Sequence, residues 1–162
     1  MALWKPKKKL TPDEVAVLFL MFSHDLVMDA RQDLETRLGV QKRSELDKVA
    51  EELMFFCFFA LDYWISDHIS ARKERQTLRE ALSCHWRQML SCDDEGQTML
   101  RALQERLNEY GQTVNEEQSD QAKFLGLGIK LSEFCGLPGN PYFLVLAADF
   151  FTAAMDAVYR IE

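Results

Sequence analysis

The chain has 162 residues, of which 48% are hydrophobic, and a net charge of −7 at neutral pH. Seven glycines and four prolines are too few for an all-β chain, and the apolar content argues against disorder. Residues 1–10 carry four lysines and no acid, so the rest carry 15 basic and 26 acidic side chains, a net charge of −11. A body this acidic repels phosphate, which argues against nucleic-acid binding through the folded domain.

The first ten residues, MALWKPKKKL, predict a flexible basic arm (residues 1–10) in front of one all-helical domain (residues 11–162). The segment TPDE separates these lysines from the apolar VAVLFLMF, and no small-residue cleavage site follows, so a signal peptide is not expected. The four cysteines form no C-x-x-C pair. We therefore expect free thiols and a cytoplasmic location.

The first helix has a clear predicted start. Thr11 suits the N-cap, Pro12 the first helical position, and Glu14 completes a capping box. Gly39 can adopt the left-handed conformation that ends a helix. Apolar residues at three- and four-residue steps predict the buried face as Val15, Leu18, Phe19, Phe22, Leu26, Ala30 and Leu34.

The second helix carries the strongest periodic signal. Ser44 is its predicted N-cap, and an apolar stripe extends from Leu46 to Ile69. The polar segment SARKERQT then interrupts the pattern, and the capping box from Thr77 to Glu80 predicts the start of a third helix. A single long helix over residues 45–90 remains an alternative.

Three further helices are predicted towards the C-terminus. The fourth covers about 95–112, and GQTVNEEQSD is predicted as a polar connection. The fifth begins near Ala122 and stops at Gly136, and the sixth follows Asn140 as N-cap and Pro141 as first helical residue.

Two segments are apolar enough to suggest a membrane span. The run from Leu53 to Leu61 is less than half of the about 20 residues that a span needs. The sixth helix is long enough, but Asp149 and Asp156 lie within it. Both segments therefore predict buried helices. The expected fold is an all-α single domain, a compact bundle of five to seven helices without a transmembrane segment.

No established catalytic motif is present in the chain. Nucleophile-elbow, Walker A and Rossmann patterns are missing, and no histidine follows a glutamate by three residues, so neither a metal site nor a cofactor is expected. The glycines of GLGIK, Gly126 and Gly128, lack the residues of a phosphate loop and instead predict close helix packing or a kink.

Aspartates within apolar helices support an alternative function. Asp25, Asp29, Asp62 and Asp149 would supply carboxylates from three helices, which is how bundle proteins build metal-binding or hydrolytic sites. The simpler interpretation places each carboxylate at the wet edge of its helix, or bonded to Trp, Tyr or Arg.

An aromatic ridge supports the leading hypothesis, which is non-enzymatic. Phe55, Phe59 and Tyr63 are spaced by four residues, separately from the main stripe of the second helix. If exposed, they would form an association site for a partner protein's helix or for a second copy in a homodimer. The predicted function is thus adaptor- or chaperone-like protein binding. A small apolar ligand held between helices is a third hypothesis.

Overall fold

A computed structural model describes residues 10–36, 39–40, 42–89, 94–117 and 119–159. These residues form six α-helices and no strand, which confirms the predicted all-α bundle. Residues 1–9, which make up nearly all of the predicted basic arm, lie outside the described residues. The helices are α1 (Pro12–Thr36), α2 (Arg43–His68), α3 (Arg72–Met89), α4 (Asp94–Glu116), α5 (Asp120–Phe134) and α6 (Tyr142–Tyr159).

Local signals set several helix ends as predicted. The Thr11 amide donates to the Glu14 carboxylate at 2.9 Å, and the Glu14 amide donates to the Thr11 hydroxyl at 3.2 Å, so the capping box is confirmed. The Asn140 side chain accepts from the Tyr142 amide at the start of α6. Gly136 has φ +75 just after α5, the left-handed conformation for which glycine is favoured.

Other predicted boundaries are wrong. Ser44 is not the N-cap of α2, because the helix already begins at Arg43. The predicted break between α2 and α3 is confirmed, but Thr77 does not start α3. It lies inside that helix, where its hydroxyl donates to the Lys73 carbonyl. α4 continues to Glu116 through the predicted polar connection, since Val114 on that extension is buried.

Helix α2 is the central element of the bundle. It packs against α1, α4, α5 and α6, and more lightly against α3. Phe56 on α2 is fully buried, with ring centroids of Tyr110 and Phe151 at 5.1 and 5.7 Å. The long apolar run is therefore a helix enclosed by other helices, as its lack of a single polar face indicated. No helix among the described residues has the length and apolar content that crossing a bilayer requires.

One buried carboxylate is fully paired. Glu52 on α2 accepts two hydrogen bonds of 2.8 Å from the guanidinium of Arg106 on α4. The same guanidinium lies 4.0 Å from the centroid of the Phe134 ring on α5. A bidentate pair of this kind satisfies both charges and fixes the relative positions of three helices.

The outer layer that carries the candidate site consists of α1, α6 and α5. Helix α6 packs against α1, α5 and the central α2. The Tyr142 hydroxyl at the start of α6 donates to Asp33 near the end of α1 at 3.1 Å. Residues near the end of α6 meet the first half of α1, so these two helices are antiparallel.

Candidate functional site

The structure separates Asp62 from the other three aspartates of the alternative hypothesis. Asp62 accepts a 2.6 Å hydrogen bond from Arg79 of α3, whose guanidinium also bonds the Ser66 hydroxyl. This pair links α2 to α3, away from Asp25, Asp29 and Asp149, which lie on the exposed faces of α1 and α6. Among the described residues, no three His, Cys, Asp or Glu side chains converge in a way that could hold a metal ion.

The predicted aromatic ridge is part of the core. Phe55 and Phe59 are buried, and Tyr63 is half-buried. The Phe59 ring lies 5.2 Å from Tyr110 of α4 and 6.1 Å from Phe151 of α6. The expected exposure of this ridge is therefore wrong, because α4 and α6 cover the faces of α2 that carry it.

Exposed apolar side chains lie instead on α1, α5 and α6, and those of α1 form a strip beside a groove. Leu18, Met21 and Phe22 are 46%, 62% and 49% exposed, and Met28 continues the same strip. Leu18 and Phe22 do not belong to the buried face, contrary to the sequence prediction. The residues of α1 that are buried are Val15, Ala16, Phe19, Leu20, Ser23, Val27, Ala30 and Leu34.

This strip borders a groove of about 330 Å³ between α1 and α6. We call it the α1–α6 groove and define it by its lining residues. The α6 side contributes Ala153, whose small side chain leaves space between the two helices. The lining residues are Leu10, Val15, Leu18, Phe19, Met21, Phe22, Asp25, Ala153 and Asp156.

Acidic side chains flank the apolar lining. Asp25 and Asp156 line the groove itself, Asp29 lies one turn beyond Asp25, and Asp149 lies two turns before Asp156. The Asp25 carboxylate lies 3.7 Å from the His24 Nδ1 atom. Within the described part of the chain, none of these four carboxylates pairs with a lysine or an arginine. The groove therefore combines apolar anchoring surface with carboxylates that pair with no lysine or arginine of the described residues.

The sequence showed the components of this site but not their combination. The sequence marks Asp25, Asp29 and Asp149 as unusual, whereas its periodicity predicts Leu18 and Phe22 to be buried. Comparisons of the chain with protein-family models, with curated proteins and with solved structures found no match.

Proposed function

We propose that the protein is a non-enzymatic binding module, adaptor- or chaperone-like, whose α1–α6 groove holds a basic amphipathic helix of a partner protein. The observation that supports this proposal is the exposed strip of Leu18, Met21 and Phe22 beside aspartates that pair with no lysine or arginine in the described ranges. Apolar patches rimmed by polar residues on a monomer commonly mark association sites.

The apolar lining suits helical anchors. An amphipathic helix places large side chains at three- and four-residue steps, and such a row fits along a groove between two helices. Met21 is unbranched and polarizable, so it adapts to partner side chains of different shape. Phe22 supplies a rigid aromatic surface of the kind that contributes strongly to binding energy.

The charges favour a basic partner over a second copy. Lysines or arginines beside the apolar anchors would meet Asp25 and Asp156 at the groove and Asp29 and Asp149 along it. A twofold complex through the same face would bring these carboxylates towards their own copies, and like charges facing each other oppose association. A homodimer through this groove thus lacks the electrostatic support that a basic helix has. The homodimer predicted from the sequence used a different surface, the ridge of Phe55, Phe59 and Tyr63, in which both phenylalanines are buried.

The proposed setting is the reducing cytoplasm. Cys57, Cys84 and Cys135 are unbonded, and burial raises the pKa of the Cys57 and Cys135 thiols well above the ordinary value. Thiols that stay protonated are poor nucleophiles, so these two serve as small apolar core groups.

The test uses a synthetic amphipathic helix of about 16 residues, long enough for four turns, with Leu and Phe on one face and Lys on its flanks. Fluorescence anisotropy measures its binding to the full chain and to the Phe22→Glu variant. Leu125→Glu is the matched control, because Leu125 is 51% exposed on α5 and does not line the groove. We expect Phe22→Glu to weaken binding about tenfold or more, a typical loss for an interface anchor, and the control to stay within about twofold.

The electrostatic part has its own test. Asp25→Asn and Asp156→Asn should each weaken binding of the lysine-containing peptide. They should leave the affinity for a neutral peptide with the same apolar face unchanged. Circular dichroism verifies that all variants remain helical. The proposal fails if no peptide binds, or if Phe22→Glu and Leu125→Glu have equal effects.

A further inference from the structure

A second cleft lies on the other side of the bundle, between α3 and α4. These helices are consecutive in the chain, yet their described backbones make no close approach to each other. The space between them is a hollow of about 270 Å³ with Phe58 and Asp62 of α2 as its floor. Its walls are Leu82, Ser83, Trp86 and Arg87 of α3 and Leu100, Leu103, Gln104 and Leu107 of α4, with Arg79 at its edge. We call it the α3–α4 cleft.

The interior of this cleft is apolar and aromatic. The Trp86 ring lies 4.4 Å from the Phe58 ring in a T-shaped arrangement. Leu100 and Leu107 are half-buried and leave part of their surface facing the opening. A neighbouring hollow of about 340 Å³ between α2 and α4 shares Asp62 and Leu107 with the cleft as lining residues. An apolar cleft of this size suits an alkyl chain.

The edge of the cleft carries positive charge. Arg79 is neutralised by Asp62 at 2.6 Å, whereas Arg87 is exposed and pairs with no acidic side chain among the described residues. The indole N–H of Trp86 is buried and has no acceptor within the described part of the protein. A buried donor without a partner costs free energy, so an acceptor brought by a ligand would be favoured there.

We propose that the α3–α4 cleft binds a monocarboxylic acid with an apolar chain. The carboxylate pairs with Arg87, and the chain lies along Phe58, Leu100 and Leu107. The Trp86 N–H is covered in the unliganded cleft, so a carboxylate oxygen reaches it only when the side chains around it shift. Guanidinium and carboxylate form charge-assisted hydrogen bonds, which makes the anion the preferred head group over an alcohol or an amine. This site is independent of the α1–α6 groove.

Isothermal titration calorimetry with decanoate, decanol and acetate tests the assignment on the full chain, below the concentration at which decanoate forms micelles. We expect saturable binding of decanoate, weaker binding of decanol, which lacks the charge, and none of acetate, which lacks the chain. Arg87→Gln should lower the affinity for decanoate about tenfold, as expected when a charge-assisted hydrogen bond is lost. It should leave the affinity for decanol nearly unchanged.

Arg72→Gln is the matched control, because it removes the same charge from α3 outside the cleft. It should leave decanoate affinity within about twofold. Leu100→Trp should fill the cleft and lower the affinities for decanoate and decanol alike. Circular dichroism checks that this variant remains helical. The proposal is overturned if decanoate shows no saturable binding, if decanol binds as tightly as decanoate, or if Arg72→Gln and Arg87→Gln have the same effect.

Discussion

Two phenylalanines of the same size occupy opposite environments in this fold. Phe56 is fully buried among aromatic rings, whereas Phe22 is 49% exposed on α1. Phe56→Ala should lower the free energy of unfolding by about 3–5 kcal/mol, because it removes a buried ring and leaves a cavity. Phe22→Ala should change it by about 0.5 kcal/mol or less. Urea denaturation measures both, and a loss below about 1 kcal/mol for Phe56→Ala would mean that this ring is not in the core.

Glu51 provides a pH-dependent contribution to stability. Partial burial, reinforced by the neighbouring Glu52 carboxylate, raises the pKa of Glu51 above its ordinary value. The folded chain then binds this proton more tightly than the unfolded chain, so the contribution to stability is present at low pH. It is lost as pH rises through the folded-state pKa. Glu51→Gln should therefore raise the melting temperature at about pH 7 but not at about pH 3.

A charge-matched variant controls for the change in net charge. Glu105→Gln removes one negative charge from an exposed position of α4. The gain from Glu51→Gln at neutral pH should exceed that from Glu105→Gln. Equal gains would show that overall repulsion in this acidic chain, and not the surroundings of Glu51, is responsible.

At the scale of helices, Gly128 sets the distance between α5 and α6. A Cβ atom there would lie 2.5 Å from the Leu144 Cδ2 atom and 3.0 Å from its Cα atom, so the predicted close packing at this glycine is confirmed. Gly128→Ala should destabilise the fold by about 1–3 kcal/mol, since the helices must separate. In Gly111→Ala on α4, the new methyl group meets no atom within 4 Å, and a gain of about 0.5–1 kcal/mol is expected. Thermal unfolding of the pair would contradict this account if both changes had the same sign.

Helix ends and helix faces differ in how far the sequence determines them. The caps at Thr11 and Asn140 involve groups two or three residues apart, so local sequence was sufficient to find them. Thr77 has the same local pattern but lies inside α3. A capping-box sequence caps a helix only where the helix begins, and α3 begins before Thr77. The exposure of Phe59 depended on α4 and α6, whose positions around α2 no local pattern contains.

For the whole molecule, the candidate site depends on a contact between distant parts of the chain. Asp25 and Asp156 line one groove because α1 and α6 pack side by side in antiparallel orientation. The sequence predicts apolar helices with aspartates within them, and in the structure α1 and α6 are helices that carry exposed aspartates. It could not pair α1 with α6, because helical periodicity fixes which residues share a face but not which helix that face meets.

Salt should affect the two possible complexes of the α1–α6 groove in opposite directions. A basic helix is attracted by the aspartates, and raising the salt concentration shortens the Debye length from about 10 Å at 0.1 M to about 3 Å at 1 M. Peptide affinity should therefore fall with salt. A homodimer through the same face opposes aspartate to aspartate, so screening should strengthen it.

Sedimentation equilibrium at low and high salt distinguishes these cases. At low salt and tens of micromolar protein, we expect the 18.8 kDa monomer to predominate. Any dimer formed through the groove should increase with salt and disappear in Phe22→Glu, whereas Leu125→Glu should leave it unchanged. A dimer that is strongest at low salt, or that persists in Phe22→Glu, would assign self-association to another surface. The groove would then be free for a basic partner in the dimer as well.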